Sequence, residues 1–159
     1  MGIPLFFKTI SEKYDDIIID IDQITNNNYS LFLDMNCLIH PCCRKVLDEF
    51  YSNKTITKKK YEKKMINEIF SYIIQIVHLT KPKFVYMAID GVAPCAKMSQ
   101  QRLRRFKSVL EKQEINTIKD KLGIIYNSES WDTNAISPGT SFMKTLSDEL
   151  KRFIETDKV

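Results

Sequence analysis

The chain has 159 residues, 43% hydrophobic and 28% charged, with a formal net charge of +4. That is length for one domain with its own core, in a composition ordinary for a soluble globular protein. No run is long and apolar enough to span a membrane, and the modest positive balance fits a polyanionic partner.

The N-terminus has no basic stretch ahead of an apolar one, so no secretory signal peptide is expected. Gly2 invites lipidation, but Phe6 stands where the myristoylation motif needs Ser or Thr. Residues 15–30 read as a helix end and a loop, with Asn26, Asn27 and Asn28 at its tip. Leu31-Phe32-Leu33 is a short apolar run closed by Asp34, and helical material is expected from about Asn36 to Tyr51. Lys54 to Lys64 supplies much of the positive charge and reads as a loop and a solvated helix start. A second helix is predicted over roughly Lys59–Leu79, where Met65, Ile69, Ile73, Ile76 and Val77 recur near the helical period. The apolar run Phe84–Ile89 then predicts a buried strand that delivers Asp90 to a loop.

This order is a β-α-α-β unit with a long crossover, which predicts parallel strands and an α/β fold. Both strands finish with Asp. In open α/β sheets the carboxyl ends of the strands form the site crevice, so Asp34 and Asp90 are expected to point into one crevice. Two carboxylates there are the start of a Mg²⁺ site, because this ion prefers oxygen ligands and takes only a few from protein. The alternative for each acid is that it caps a helix or a turn.

Gly91 and Pro94 break the chain after Asp90, and Ser99 is a candidate N-cap for the next helix. On that helix Gln101, Arg104 and Arg105 fall at i, i+3 and i+4 and share a face, while Leu103, Phe106 and Leu110 form a separate apolar stripe. Only five of the 24 basic residues are Arg, and three of those five are Arg102, Arg104 and Arg105. Arginine offers a planar fork that grips phosphate bidentately, which lysine cannot. From Gly91 to Leu110 there are five basic residues and no acidic one. The competing reading is a solvated basic helix face. With Lys97 just ahead of the shared Gln101, Arg104 and Arg105 face, the pattern favours an anion pocket beside Asp90.

Trp131 to Pro138 reads as a connector into a last helix, about Thr140–Thr156, with Phe142, Leu146, Leu150 and Phe153 as its buried stripe. Of the two histidines, His78 sits inside an apolar helix and reads as structural; His40 alone would read the same way. Cys37, Cys42, Cys43 and Cys95 show no metal-ligand spacing and read as free thiols in a reducing compartment.

Four stretches resemble the N-terminal part of the Xrn-type 5′→3′ exoribonucleases. They are Met1-Gly-Ile-Pro-Leu-Phe-Phe-Lys with Ile10-Ser-Glu-Lys-Tyr14, then Leu31-Phe-Leu-Asp-Met-Asn-Cys-Leu-Ile-His40, then Met87-Ala-Ile-Asp-Gly-Val-Ala-Pro94 running on to Phe106, and Asn134-Ala-Ile-Ser-Pro-Gly-Thr-Ser-Phe-Met143. The resemblance implies a PIN- or flap-nuclease-like parallel sheet with flanking helices. It also implies residues 1–159 as one N-terminal nuclease domain, incomplete because it stops before a second acidic segment. Asp34 and Asp90 fall at catalytic, metal-binding positions for Mg²⁺ or Mn²⁺. Lys97, Gln101, Arg104 and Arg105 fall where the family holds the 5′-monophosphate of its RNA, and His40 where a histidine stacks on the first base.

Cys95, Ser99 and Leu103 depart from the usual basic, Asn and small polar residues of the family, which implies weaker RNA contact rather than a lost site. Asp148, Glu149 and Glu155 lie on a Lys-rich amphipathic helix and read as solvated. Three outcomes stand for the function. The chain is the N-terminal portion of an exoribonuclease acting on 5′-monophosphorylated RNA, with a second chain supplying the remaining nuclease domain; it is a non-catalytic binder of 5′-phosphorylated ends; or it is an inactive gene remnant. The expected location is intracellular, cytoplasmic rather than nuclear.

Overall fold

A computed structural model describes residues 3, 5–24, 28–50, 57–124 and 131–156. The chain forms α1 (Phe6–Lys13), β1 (Ser30–Asp34), α2 (Met35–Phe50), α3 (Lys58–Thr80), β2 (Phe84–Ala88), α4 (Cys95–Lys121) and α5 (Ser141–Thr156), with short 3₁₀ turns at Asp15–Ile17, Ile21–Gln23 and Thr133–Ala135. The fold is α/β as expected, but mostly helical. The described sheet has two strands, β1 and β2, which pair in parallel with Asp34 opposite Ala88. The Asn26 and Asn27 loop tip and Tyr51 lie outside the described residues.

The parallel pairing follows from the α2–α3 crossover, which carries the chain from the end of β1 back to the start of β2. Tyr29 helps set this return: its carbonyl accepts from Lys83 N at 3.0 Å, and its hydroxyl donates to the Thr80 carbonyl at the end of α3. The second strand is one residue shorter than the apolar run predicts. Once β1 ends at Asp34 and the chain turns into α2, Ile89 has no partner strand to pair with.

The core lies among α2, α3 and α5. Met35, Ile39 and Cys43 from α2 meet Met65, Ile69 and Ile73 from α3 and Phe142 and Leu146 from α5, all at most 2% exposed. Phe70 and Phe153 stack at 4.6 Å between ring centres, closing α3 against α5. The predicted stripe of α5 is buried at all four positions. In α3, Met65, Ile69 and Ile73 are buried while Ile76 and Val77 are half-buried and pack against the core. Leu33, Met87 and Ile89 cover the core from the sheet side.

Two expectations are corrected. The helix after Asp90 begins at Cys95, so Ser99 is not its N-cap but lies in its second turn. Pro94 opens the helix, its carbonyl accepting from Lys97 N at 2.9 Å and Met98 N at 3.0 Å. Proline suits that place because its φ is already near the helical value and it has no N–H to leave unpaired. The Phe84–Ile89 run does not form a buried strand either, because alternate residues of β2 face outward. Phe32, Phe84 and Tyr86 are exposed on the outer face, and Phe32 and Tyr86 contact one another at 5.8 Å. The Leu103, Phe106 and Leu110 stripe exists on α4 but is not buried, because α4 runs beside the core without sinking a residue into it.

Candidate functional site

Asp34 is the last residue of β1, and Asp90 lies two residues beyond β2. Because β1 and β2 are adjacent and in register, both acids leave the sheet at the same end. The next residues tie them together. Asn36 N donates to Asp34 Oδ1 at 3.1 Å, and Asn36 Nδ2 donates to Asp90 Oδ2 at 3.0 Å. The Cys37 thiol donates to Asp34 Oδ2 at 3.3 Å. Asp34 therefore does cap the first turn of α2, the simpler alternative raised by its sequence context. An ionised carboxylate has about four lone-pair sites, so this capping leaves acceptor capacity open to the crevice.

A crevice of about 710 Å³ is lined by Asp34, Asp90, Gln101, Arg104, Arg105 and His40 together. Six of the seven predicted site residues thus meet in one place. Lys97 stands one turn before Gln101 on α4, half-buried, and is not among the residues lining the crevice. His78 is exposed on α3, away from this site. The wall also includes Asn134, Ser137 and Pro138, held where Trp131 and Ile136 sink into the core.

Basic and acidic side chains line this crevice without pairing with one another among the described residues. Among the described residues Arg44, Arg104 and Arg105 form no ion pair with a carboxylate, whereas Arg152 is engaged by Glu149 at 2.8 Å. The His40 pKa is held below its usual value, first by partial desolvation and then by the Arg44 and Arg104 guanidiniums. A neutral imidazole results at neutral pH. On the acid side, the hydrogen bond to Asp34 and its charge push the Cys37 thiol up, with smaller contributions from burial and Asp90. Burial pushes Cys43 up to about 12, so that thiol is a core side chain. The described cysteines are all free.

Asn36, Cys37 and Arg44 escaped sequence reasoning. Arg44 had a usable signal, since it falls four residues after His40 on α2 and is one of the chain's five arginines. Pro41, inside α2, deprives the Cys37 carbonyl of its intrahelical donor at the crevice wall. Ser108, Thr133 and Ser137 had no local signal, because only packing brings them to the acids.

For a divalent metal, Asp34 and Asp90 fit as hard oxygen donors on one side of an open crevice. The amide oxygen of Asn36 beside them is buried with no hydrogen-bond partner. Among the described residues no group of three or more His, Cys, Asp or Glu side chains is placed to hold an ion. The fit is therefore to a partial site of two carboxylates.

The sequence matches the family described as XRN 5′-3′ exonuclease N-terminus over residues 1–159. The chain belongs to the XRN 5′-3′ exonuclease family. It is 39% identical over 163 residues to 5′-3′ exoribonuclease 1 of Saccharomyces cerevisiae, with 100% of this chain and 10% of that protein covered. Identity is 38% over 157 residues to 5′-3′ exoribonuclease 1 of Schizosaccharomyces pombe, covering 97% of this chain and 11% of that protein. For the Homo sapiens 5′-3′ exoribonuclease 1 it is 37% over 166 residues, covering 99% and 9%. The chain thus spans about a tenth of the length of these XRN relatives and corresponds to the family's N-terminal region. The family resemblance carried by the four sequence blocks is borne out across the whole chain. No helix among the described residues is long and apolar enough to cross a membrane.

Proposed function

We propose that the chain carries the end-binding part of a 5′→3′ exoribonuclease site, acting on RNA with a 5′-monophosphate by metal-dependent phosphodiester hydrolysis. One observation carries this reading: a single crevice joins the Asp34 and Asp90 pair to the unneutralised Arg104 and Arg105 face. The β1–α2–α3–β2 unit is read here as the start of a PIN- or flap-nuclease-like sheet.

The arginine forks and the Gln101 amide grip the terminal phosphate, with Lys97 adding charge from the preceding turn. A pocket sized for one phosphate rejects a capped or triphosphate end and makes cleavage count from the 5′ terminus. His40 stacks on the first base, a contact that tolerates any sequence. Asp34 and Asp90 hold Mg²⁺ or Mn²⁺, which when bound supplies positive charge to the scissile phosphate and its leaving oxygen. Further oxygen donors are assigned to a second chain carrying the rest of the nuclease domain. Free thiols fit a reducing compartment, the cytoplasm in this reading.

The small donor count favours a second reading, in which the chain binds 5′-phosphorylated ends without cutting. The deciding experiment compares matched RNAs with a 5′-monophosphate or a 5′-hydroxyl, with Mg²⁺, using the purified chain and an Asp90→Ala control. Monophosphate-dependent loss of RNA that Asp90→Ala abolishes supports the nuclease. Selective binding of the monophosphate without cleavage supports the binder. Equal handling of both ends removes the pocket assignment.

A further inference from the structure

Asn36 hydrogen-bonds both acids, its main-chain N–H on Asp34 and its side-chain amide on Asp90. Its second half is odd. With the amide nitrogen turned to Asp90, the amide oxygen Oδ1 is buried and has no hydrogen-bond partner among the described residues. The assignment of nitrogen and oxygen is forced, because an ionised carboxylate can only accept. Buried acceptors are nearly always paired, and an unpaired one counts against stability. Burial alone would be served better by an apolar residue of the same shape, so the amide's role lies in its contact with Asp90.

Asp90 needs that contact. Asp34 ends a paired strand and is held by Asn36 N and the Cys37 thiol. Asp90 lies two residues past the last paired position of β2, on a stretch leading to Gly91, with no strand hydrogen bonds of its own. Without a donor its carboxylate would be free to rotate away from Asp34. Asn36 leaves α2 in its first turn, fixed by the buried Met35 before it and Leu38 and Ile39 after it, so its amide is a rigid support.

We infer that Asn36 is a positioning residue that clamps Asp90 beside Asp34 so that the two carboxylates can share one divalent cation. This rests on the metal-binding reading given under the proposed function. It adds that the metal affinity of the pair depends on a neutral amide that is not itself a ligand. Outer-shell partners of metal ligands are commonly worth about 10–100-fold in affinity.

The test is a double-mutant cycle read by Mn²⁺ binding to the full chain, with no RNA present, following free Mn²⁺ by its electron paramagnetic resonance signal. Asn36→Ala is expected to raise the Mn²⁺ Kd by about tenfold while leaving the melting temperature close to the parent's. In an Asp90→Asn background the same change is expected to raise Kd by less than about twofold, because the carboxylate it orients is gone. Asn36→Leu, close in shape but without a donor, repeats the cycle if the alanine variant does not fold. A parent chain that binds Mn²⁺ with an Asn36→Ala Kd unchanged overturns the positioning role and leaves the metal reading standing. Equal losses in both backgrounds do the same, since they show that Asn36 acts independently of Asp90. A folded parent that binds no Mn²⁺ overturns both.

Discussion

Trp131 Nε1 donates to Glu62 Oε1 at 3.2 Å, and the indole meets Phe142 edge-on at 5.1 Å. That pair ties the crevice wall at Thr133 to Pro138 to both α3 and α5. Trp131→Ala should destabilise the fold by about 3–5 kcal/mol, the range for emptying a large aromatic site. Trp131→Phe should cost less, about 1–2 kcal/mol, from the lost hydrogen bond and some lost area. Urea denaturation of the three proteins measures both. An alanine variant as stable as the parent would mean that the wall is not anchored through this residue.

Burial separates the apolar stripes of α4 and α5. Leu146 of α5 is 0% exposed and Leu103 of α4 is 73% exposed. Leu146→Ala should lose about 2–5 kcal/mol, whereas Leu103→Ala should stay within about 0.5 kcal/mol of the parent. Comparable losses at the two sites would show that α4 is packed in solution.

The depressed His40 pKa has a defined consequence for pH. The unfolded chain takes up a proton near the ordinary histidine value of about 6.5, before the folded chain does. The His40 contribution to stability is therefore complete above that value and is lost as pH falls toward the lower folded-state pKa. Nuclear magnetic resonance titration of the ring should give a midpoint below the usual histidine value. Arg44→Ala should move that midpoint upward, because it removes a neighbouring positive charge that lowers it. A downward or absent shift would contradict the placement of Arg44 beside the ring.

Cys37 reports on Asp34. The carboxylate both accepts a hydrogen bond from the thiol and repels the thiolate, so the thiol should react slowly with iodoacetamide at pH 8. Asp34→Asn should lower the thiol pKa and speed alkylation at Cys37, read by peptide mass spectrometry. Unchanged kinetics would break the link between these two side chains.

On the basic side, Arg104→Ala should weaken binding of a 5′-monophosphate oligonucleotide by about 1–3 kcal/mol, the scale of a charge-assisted contact. The loss should shrink for a 5′-hydroxyl oligonucleotide, which offers no terminal phosphate. Fluorescence anisotropy of both ligands checks this, and equal affinities for mutant and parent would take Arg104 out of the pocket.

Regular apolar spacing is enough to place the helices and strands to within a residue or two, as in α3 and α5. The sequence also places Asp34 and Asp90 at the ends of apolar runs and sets Gln101, Arg104 and Arg105 on one face through helical spacing alone. The four motif blocks placed the chain in its family. Ser99 has the side chain of an N-cap, but the proline five residues earlier already sets the helix start. Tertiary structure alone decided the rest. The register of β1 on β2 put the two acids at one sheet end, and the burial of Trp131 and Ile136 carried Ser137 and Asn134 to the same crevice. It likewise decided that the α4 stripe stays exposed while the similar stripe of α5 is covered. Spacing in a chain specifies which side chains share a face, whereas what that face meets depends on contacts between residues far apart in sequence. Asn36 shows the difference: one position into α2 it is an unremarkable amide, and only the pairing of residues 54 apart gives it Asp90 to hold.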